Sequence, residues 1–264
     1  TAEISLSVSS YFIGMAIGQM LYGPLLDRFG RKKPLYAGIL LFLIASVGCI
    51  QSQDVNMLVA FRFLQALGGS AAWVAAVSMV RDFFPVEKSS KIFSLLVLVI
   101  GVSPLLAPTV GGFISDAWGW RAVFVALILL ASLVVILVYL VLPDGRDPDK
   151  SVSLGAKPMI LTFLKILREP QFYTYSLASA FSFASLFIYV AGSPVIFMQY
   201  YKLSPKEYGG VFALLSVGFI GASQLNIYLT QKFRSDSIFK TALTIQCIAS
   251  LVFLAIVLSG TIGL

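Results

Sequence analysis

Two apolar runs near the start of the chain are joined by the charged stretch Gly23-Pro24-Leu25-Leu26-Asp27-Arg28-Phe29-Gly30-Arg31-Lys32-Lys33-Pro34. Neither residues 4–26 nor residues 35–50 contain a charged side chain. Each run approaches the length at which a helix crosses ~30 Å of hydrocarbon. The stretch therefore predicts a short loop between two membrane helices, with Gly30 in the left-handed conformation that the chain reversal needs.

The composition is that of a membrane protein. Of the 264 residues, 58% are hydrophobic and only 12% are charged, and the mean hydropathy is +0.92. A water-soluble fold of this size cannot hide so much apolar surface. The net charge of +7 does not indicate a nucleic-acid partner, because the cations are distributed among loops and do not form one exposed face. We expect an all-helical protein whose partner is the lipid bilayer.

Eight apolar segments are long enough, or nearly so, to be spanning helices. They lie at about residues 6–26, 35–50, 57–80, 92–114, 122–142, 172–197, 211–229 and 238–258. The loops on the side of the charged stretch hold 15 of the 19 lysines and arginines. Because cations in short loops are retained in the cytoplasm, we expect a multi-pass protein with the Asp27–Pro34 loop in the cytoplasm.

A long polar stretch divides the chain into three predicted parts. Residues 1–142 form a first helix bundle, residues 143–170 a cytoplasmic linker, and residues 171–264 part of a second bundle. Within the linker, four apolar residues recur at helical spacing opposite Lys165 and Arg168. These four are Ile160, Phe163, Leu164 and Leu167. The pattern predicts an amphipathic helix on the inner membrane surface.

The charged stretch resembles the signature loop between the second and third helices of the major facilitator superfamily, which reads G-x-x-x-D-R-x-G-R-[KR]. The matching residues are Gly23, Asp27, Arg28, Gly30, Arg31 and Lys32. The resemblance implies a bundle of twelve helices, of which the eight segments are helices two to nine. Since the chain begins at Thr1 and not at methionine, we expect it to be a piece of a longer chain. Numbering the segments as helices two to nine implies that one helix before them and three after them are absent. A degenerate repeat agrees, because Asp27-Arg28-Phe29 aligns with Gln231-Lys232-Phe233 at the offset that pairs Gly14 with Gly218.

A conformational role is implied for the loop and for charges that share its cytoplasmic layer. Arg81 and Asp82, at the inner end of the third span, either join Asp27 and Arg28 in a charge cluster or are solvated separately. The complete set of candidate conformational residues is Gly23, Asp27, Arg28, Gly30, Arg31, Arg81 and Asp82. We expect Asp27 to favour the outward-open state by bonding helix ends or cations in this layer.

Arg62 lies well inside the third span, where an arginine costs ~3 kcal/mol or more unless it faces protein or water. One interpretation is an arginine that extends to the outer headgroups. The other follows from its context, which resembles the R-x-x-Q-G-x-G pattern of facilitator-superfamily proton antiporters. Arg62, Gln65 and Gly68 match, while Ala66 replaces a glycine. The resemblance implies that Arg62 and Gln65 take part in proton coupling.

The fourth span contains a proline- and glycine-rich motif that predicts a bent helix packed closely against a neighbour. It also resembles the antiporter signature G-P-x-x-G-G of the fifth helix, with Ala107 in place of a glycine. The candidate signature residues are Pro104, Ala107, Pro108, Gly111 and Gly112. That signature distinguishes exporters from importers within the superfamily.

The first span carries Gly14 and Gly18 in a G-x-x-x-G pattern, for which simple helix packing is the favoured interpretation. The alternative places neighbouring side chains on the wall of a solvated cavity. The candidate cavity residues are Tyr11, Met15, Gln19 and Asn226.

All twelve acidic residues lie in loops or at the ends of spans. Because a proton-driven carrier usually needs a carboxylate within the membrane, we expect that group on an absent helix. The chain lacks histidine, and we expect neither a metal, nor another cofactor, nor enzymatic activity. The chain looks most like the Bcr/CflA group of drug/proton antiporters, which implies a monomer in the bacterial inner membrane whose partners are protons and a small-molecule substrate. A sugar or metabolite carrier and a non-transporting sensor or assembly protein remain alternatives.

Overall fold

The computed structural model describes the backbone of residues 2–143, 145 and 147–259, and this part of the chain is helical without any strand. Its nine α-helices are α1 (Ala2–Phe29), α2 (Lys32–Gln51), α3 (Val55–Phe83), α4 (Val86–Trp118), α5 (Trp120–Val141), α6 (Ala156–Leu167), α7 (Pro170–Pro194), α8 (Pro205–Lys232) and α9 (Ser235–Leu258). A π-helical segment, Val195–Tyr200, follows α7. Each predicted apolar segment overlaps one of the longer helices, although the fifth ends one residue after α5 and the sixth continues from α7 into the π-helical segment. The predicted amphipathic segment lies in α6. The all-helical class is therefore confirmed.

Five helices in the described part of the chain are long and apolar enough to cross a membrane. They are α2, α3, α5, α9 and the Glu207–Lys232 portion of α8. The other three predicted spans are helical as α1, α4 and α7 but are not among these five. No residue in the apolar spans of α5 and α9 is buried within the protein, as expected for surfaces that contact lipid.

The charged loop between α1 and α2 is only two residues long. Gly30 has a φ of +80°, which a side chain at this position would disfavour. The left-handed turn expected from the sequence is therefore present. It places Arg31 beside the C-terminal end of α1, where it bonds Asp27.

Close packing of small residues fixes α3 between α1 and α2, with which it makes extensive contacts. A Cβ on Gly14 of α1 would lie 2.5 Å from the backbone oxygen of Phe63, and a Cβ on Gly68 would lie 2.6 Å from that of Gly38. Real side-chain carbons do not approach so closely, so these backbones touch because the glycines lack side chains. The packing interpretation of Gly14 and Gly18 agrees with this arrangement.

An apolar core cluster lies where the C-terminal halves of α1 and α3 meet the N-terminal half of α2. Leu26 and Ala71 are almost fully buried there, and Ile39 packs with them. Residues of α5, including Val135 and Val138, cover one side of the cluster. The rigid core is thus adjacent to the charged loop.

Contacts within the chain define two units. The first contains Thr1–Phe93 and Ser103–Phe163, and the second contains Ser94–Val102 and Leu164–Leu264. The sites described below lie within the first unit. The division of the chain into two bundles and a linker stays a prediction.

The α2–α3 contact leads to a test of packing. We expect Gly68→Ala to lower the thermal unfolding midpoint of the complete protein in detergent, because the new methyl group must separate two backbones at an overpacking cost of ~1–3 kcal/mol. Gly23→Ala is the matched control, since its Cβ would meet no atom within 4 Å and alanine is the better helix former. Equal midpoints for the two variants would contradict the proposed contact.

Candidate functional site

Arg31 is the centre of an ion cluster at the C-terminal ends of α1 and α3. Its side chain is only 6% exposed. Nη1 donates to Oδ1 of Asp27 at 2.8 Å, Nε donates to Oδ2 of Asp82 at 2.6 Å, and Nη2 donates to Oδ1 of Asp82 at 3.2 Å. The bond to the Asp82 carboxylate raises the pKa of the Arg31 guanidinium above its ordinary value, against the opposing effect of burial. Arg31 is therefore a fixed cation that joins two helices.

The cluster differs in detail from the sequence prediction. Asp27 and Asp82 come together, as in the first of the two alternatives, but their shared partner is Arg31. Arg28 instead donates through Nη1 to the backbone oxygen of Val152 at 2.6 Å. Arg81 is exposed and joins no ion pair among residues that the structure describes. The turn at Gly30 determines this choice, because it directs Arg31 rather than Arg28 towards α3.

The segment that follows α5 packs against the cluster. The backbone N–H of Asp149 donates to the backbone oxygen of Asp27 at 2.9 Å. Gly145 lies so close that a Cβ there would be 2.5 Å from Cγ of Arg31. A small cavity beside the cluster is lined by Leu26, Asp27, Arg31, Asp147, Asp149 and Val152. The sequence marks this segment as a linker between two bundles but gives no sign of its contact with the cluster, because an extended polar stretch has no periodic pattern.

A second cluster surrounds Arg62 in the N-terminal half of α3. Nη1 of Arg62 donates to Oε1 of Gln65 at 2.6 Å. The guanidinium carbon lies 4.2 Å from the ring centroid of Tyr11 in α1 and 6.0 Å from that of Phe124 in α5. Stacking on aromatic faces stabilises a cation without neutralising it. Within the described residues no carboxylate pairs with Arg62, so its positive charge is held among α1, α3 and α5 uncompensated.

Gln65 extends this cluster to α2. Its side chain is completely buried, and Nε2 donates to Oγ of Ser46 at 2.7 Å. Ser46 in turn donates to the backbone oxygen of Phe42 at 2.7 Å. Arg62 and Gln65 are three positions apart on one helix, a spacing that brings their side chains together, but nothing in the sequence points to Ser46 or Phe124.

The antiporter-like motif lies in α4, which continues through it without interruption. A Cβ on Gly111 or Gly112 would meet no atom within 4 Å, so the close packing expected there is absent among the described residues. Ala107 is exposed, whereas the side chains of Pro104 and Pro108 lie outside the described residues. The role of the motif stays a prediction.

The candidate cavity residues are divided between the units. Tyr11 stacks on Arg62, while Met15 and Gln19 are half-buried on the same helix. Asn226 is half-buried on α8 in the second unit. Among the described residues no group of three or more acidic or cysteine side chains is placed to hold a metal ion.

Comparison with known proteins gives a consistent result. The model of the family described as Major Facilitator Superfamily matches residues 1–264. The chain is 28% identical over 249 residues to the bicyclomycin resistance protein homolog of Haemophilus influenzae, covering 94% of this chain and 63% of that protein. It is 31% identical over 260 residues to the uncharacterized MFS-type transporter YdgK of Bacillus subtilis, covering 98% and 64%. It is 29% identical over 213 residues to the multidrug resistance protein MdtL of Escherichia coli, covering 81% and 54%. The chain thus spans between about half and two thirds of the length of these relatives.

The ion cluster predicts unequal effects of its two carboxylates on stability. Asp82→Asn removes the partner of two Arg31 bonds and should destabilise the protein by about 3 kcal/mol, the lower end of the cost of breaking a buried pair. Asp27 is 52% exposed and lies in the last turn of α1, where an acid is unfavourable, so Asp27→Asn should cost less than about 1 kcal/mol. Denaturant unfolding of the complete protein in detergent measures both. A larger loss for Asp27→Asn would contradict the assignment of Asp82 as the main partner.

Proposed function

Because this chain belongs to the Major Facilitator Superfamily, we propose that the complete protein exports small drug-like molecules in exchange for protons. The family consists of membrane transporters, and the helices described above are those of a multi-pass membrane protein. Two relatives are named for bicyclomycin resistance and for multidrug resistance, which supports drugs as the substrate class. The proposal includes a monomer in the bacterial inner membrane, with the Asp27–Pro34 loop in the cytoplasm.

The observation that carries the proposal is the charge of Arg62, which contacts an amide and aromatic rings but pairs with no carboxylate among the described residues. An arginine inside a membrane helix is costly, and such residues usually mark ion or substrate pathways. The Tyr11 ring and the Gln65 amide lower the cost of holding the guanidinium but leave its charge intact. Arg62 is therefore suited to respond to a negative charge that appears or disappears beside it.

This response provides a physical route from proton uptake to drug release. We propose that a carboxylate elsewhere in the complete protein faces Arg62 during the transport cycle. While ionised, that carboxylate is attracted to the guanidinium, and protonation removes the attraction. If the drug and the proton favour opposite conformations, the two binding events are linked through one coupling free energy. The protein would then exchange one for the other as its two halves move around a central cavity.

The Arg31 cluster has a different role in this proposal. Its three bonds join the inner ends of α1 and α3 within one unit and give that end of the unit a fixed shape. We propose that this fixed shape favours the outward-open state, in which the inner side is closed. Neither the substrate nor the proton needs to contact it directly.

The decisive experiment uses inside-out membrane vesicles that contain the complete protein and a pH-sensitive dye. An energised vesicle should release protons when a drug-like substrate is added, and a panel that includes bicyclomycin tests the substrate class. Transport of a substrate without proton movement would instead support a facilitator of sugars or metabolites. The absence of both transport and proton movement across the panel would favour a sensor or assembly protein.

Substitutions of Arg62 test its role. We expect Arg62→Ala to abolish proton-driven efflux and Arg62→Lys to retain part of it, because lysine keeps the charge but loses the planar set of donors. Arg121→Ala is the matched control, since among the described residues Arg121 donates to the backbone oxygens of Ile50 and Ser52 at the C-terminal end of α2 and stacks on Trp120. Efflux is measured as initial rates in vesicles with equal amounts of each variant. Full coupling in Arg62→Ala would refute the proposed mechanism.

A further inference from the structure

Resting on the proton-coupled function proposed above, we infer that Ser46 is a positioning residue for that coupling. Ser46 lies on α2, outside the motifs described above, and among the hydrogen bonds of the described residues none joins it to Arg62. Its hydroxyl fixes the orientation of the Gln65 amide, and the amide fixes Arg62. One hydroxyl group thus joins α2 to the charged group of Arg62 in α3.

The direction of each hydrogen bond follows from the chemistry of the groups. A serine hydroxyl has one proton, and that of Ser46 goes to the backbone oxygen of Phe42 at 2.7 Å. Towards Gln65 the hydroxyl oxygen can then only accept, so the amide nitrogen Nε2 must face it. The amide oxygen Oε1 is left to face Arg62. Because a guanidinium has only donors, this is the orientation in which Gln65 can bond Arg62.

Because Gln65 is buried, the orientation of its amide depends on the Ser46 hydroxyl. Ser46 and Gln65 are both completely buried, so water has no access to replace a lost partner. Without the Ser46 hydroxyl, the amide nitrogen of Gln65 is a buried donor that lacks its acceptor. The amide then relaxes by rotating or shifting, and either movement weakens the bond to Oε1 that holds Arg62.

Few titratable groups near Arg62 could hide the consequence of losing the Ser46 hydroxyl. On α1 the facing titratable group is Tyr11, whose ring stacks on the guanidinium. On α2 it is Cys49, which is near enough to interact electrostatically with Arg62, and α5 contributes the non-ionisable Phe124. No acidic group in the described part of the chain faces Arg62. A changed pH profile of efflux in a Ser46 variant therefore reports on how Arg62 is held.

The first test measures coupling in the complete protein. We expect Ser46→Ala to reduce proton-driven efflux by about tenfold, which corresponds to the loss of one hydrogen bond to a charged group, and to shift its pH profile. Ser46→Thr keeps the hydroxyl and should restore most of the activity. The matched control is Ser70→Ala, because Ser70 is also buried but donates to the backbone oxygen of Leu67 in its own helix. Equal rates and pH profiles for Ser46→Ala and Ser70→Ala would overturn the inference.

The second test does not depend on transport. Phenylglyoxal modifies arginine side chains, and mass spectrometry measures the rate at Arg62 in purified, folded protein. We expect Ser46→Ala to raise this rate several-fold and Ser70→Ala to leave it unchanged. An unchanged rate in Ser46→Ala refutes the positioning role even if efflux is proton-coupled. Absence of proton movement in the unmodified protein refutes the proposed function, whatever the modification rates are.

Discussion

A guanidinium that leaves water must find acceptors for its donors, and the first unit meets this requirement in two different ways. Arg31 is bonded to two carboxylates, so its positive charge is balanced by that of its partners. Arg62 is bonded to a neutral amide and stacked on a tyrosine ring, so its charge remains. An arginine therefore joins two helices near one end of α3, where carboxylates balance its charge. Another arginine keeps its positive charge towards the other end.

Helix α3 carries parts of both clusters and holds them at a fixed separation. Arg62 and Asp82 are twenty positions apart on this helix, which corresponds to about 30 Å along its axis. Between them lies Gly68, where the backbones of α2 and α3 touch, and Gly14 of α1 contacts the helix near Arg62. Because close-packed backbones slide only by losing these contacts, α3 acts as a rigid element that moves with its neighbours.

The sequence was informative wherever one short segment determined the structure. Hydrophobic length and the exclusion of charge predicted the helices, and the turn at Gly30 followed from its place between cations. Arg62 and Gln65 were neighbours by their spacing on one helix. Ser46 and Phe124 were missed because they reach the site from other helices, whose rotation and register depend on packing across the whole unit. A serine or phenylalanine within an apolar run also has nothing in its local pattern that distinguishes it from a packing residue.

The segment after α5 holds the charged loop through main-chain atoms. The N–H of Asp149 and the carbonyl oxygen of Val152 supply two of its contacts, and these groups are unaffected by a change of side chain. Evolution can therefore replace most residues of this segment and preserve its attachment to the loop. Gly145 is the exception, because any side chain there would collide with Arg31. Among related sequences that have diverged, a glycine kept at this position in an otherwise variable linker would indicate that the linker contacts Arg31 in the same way.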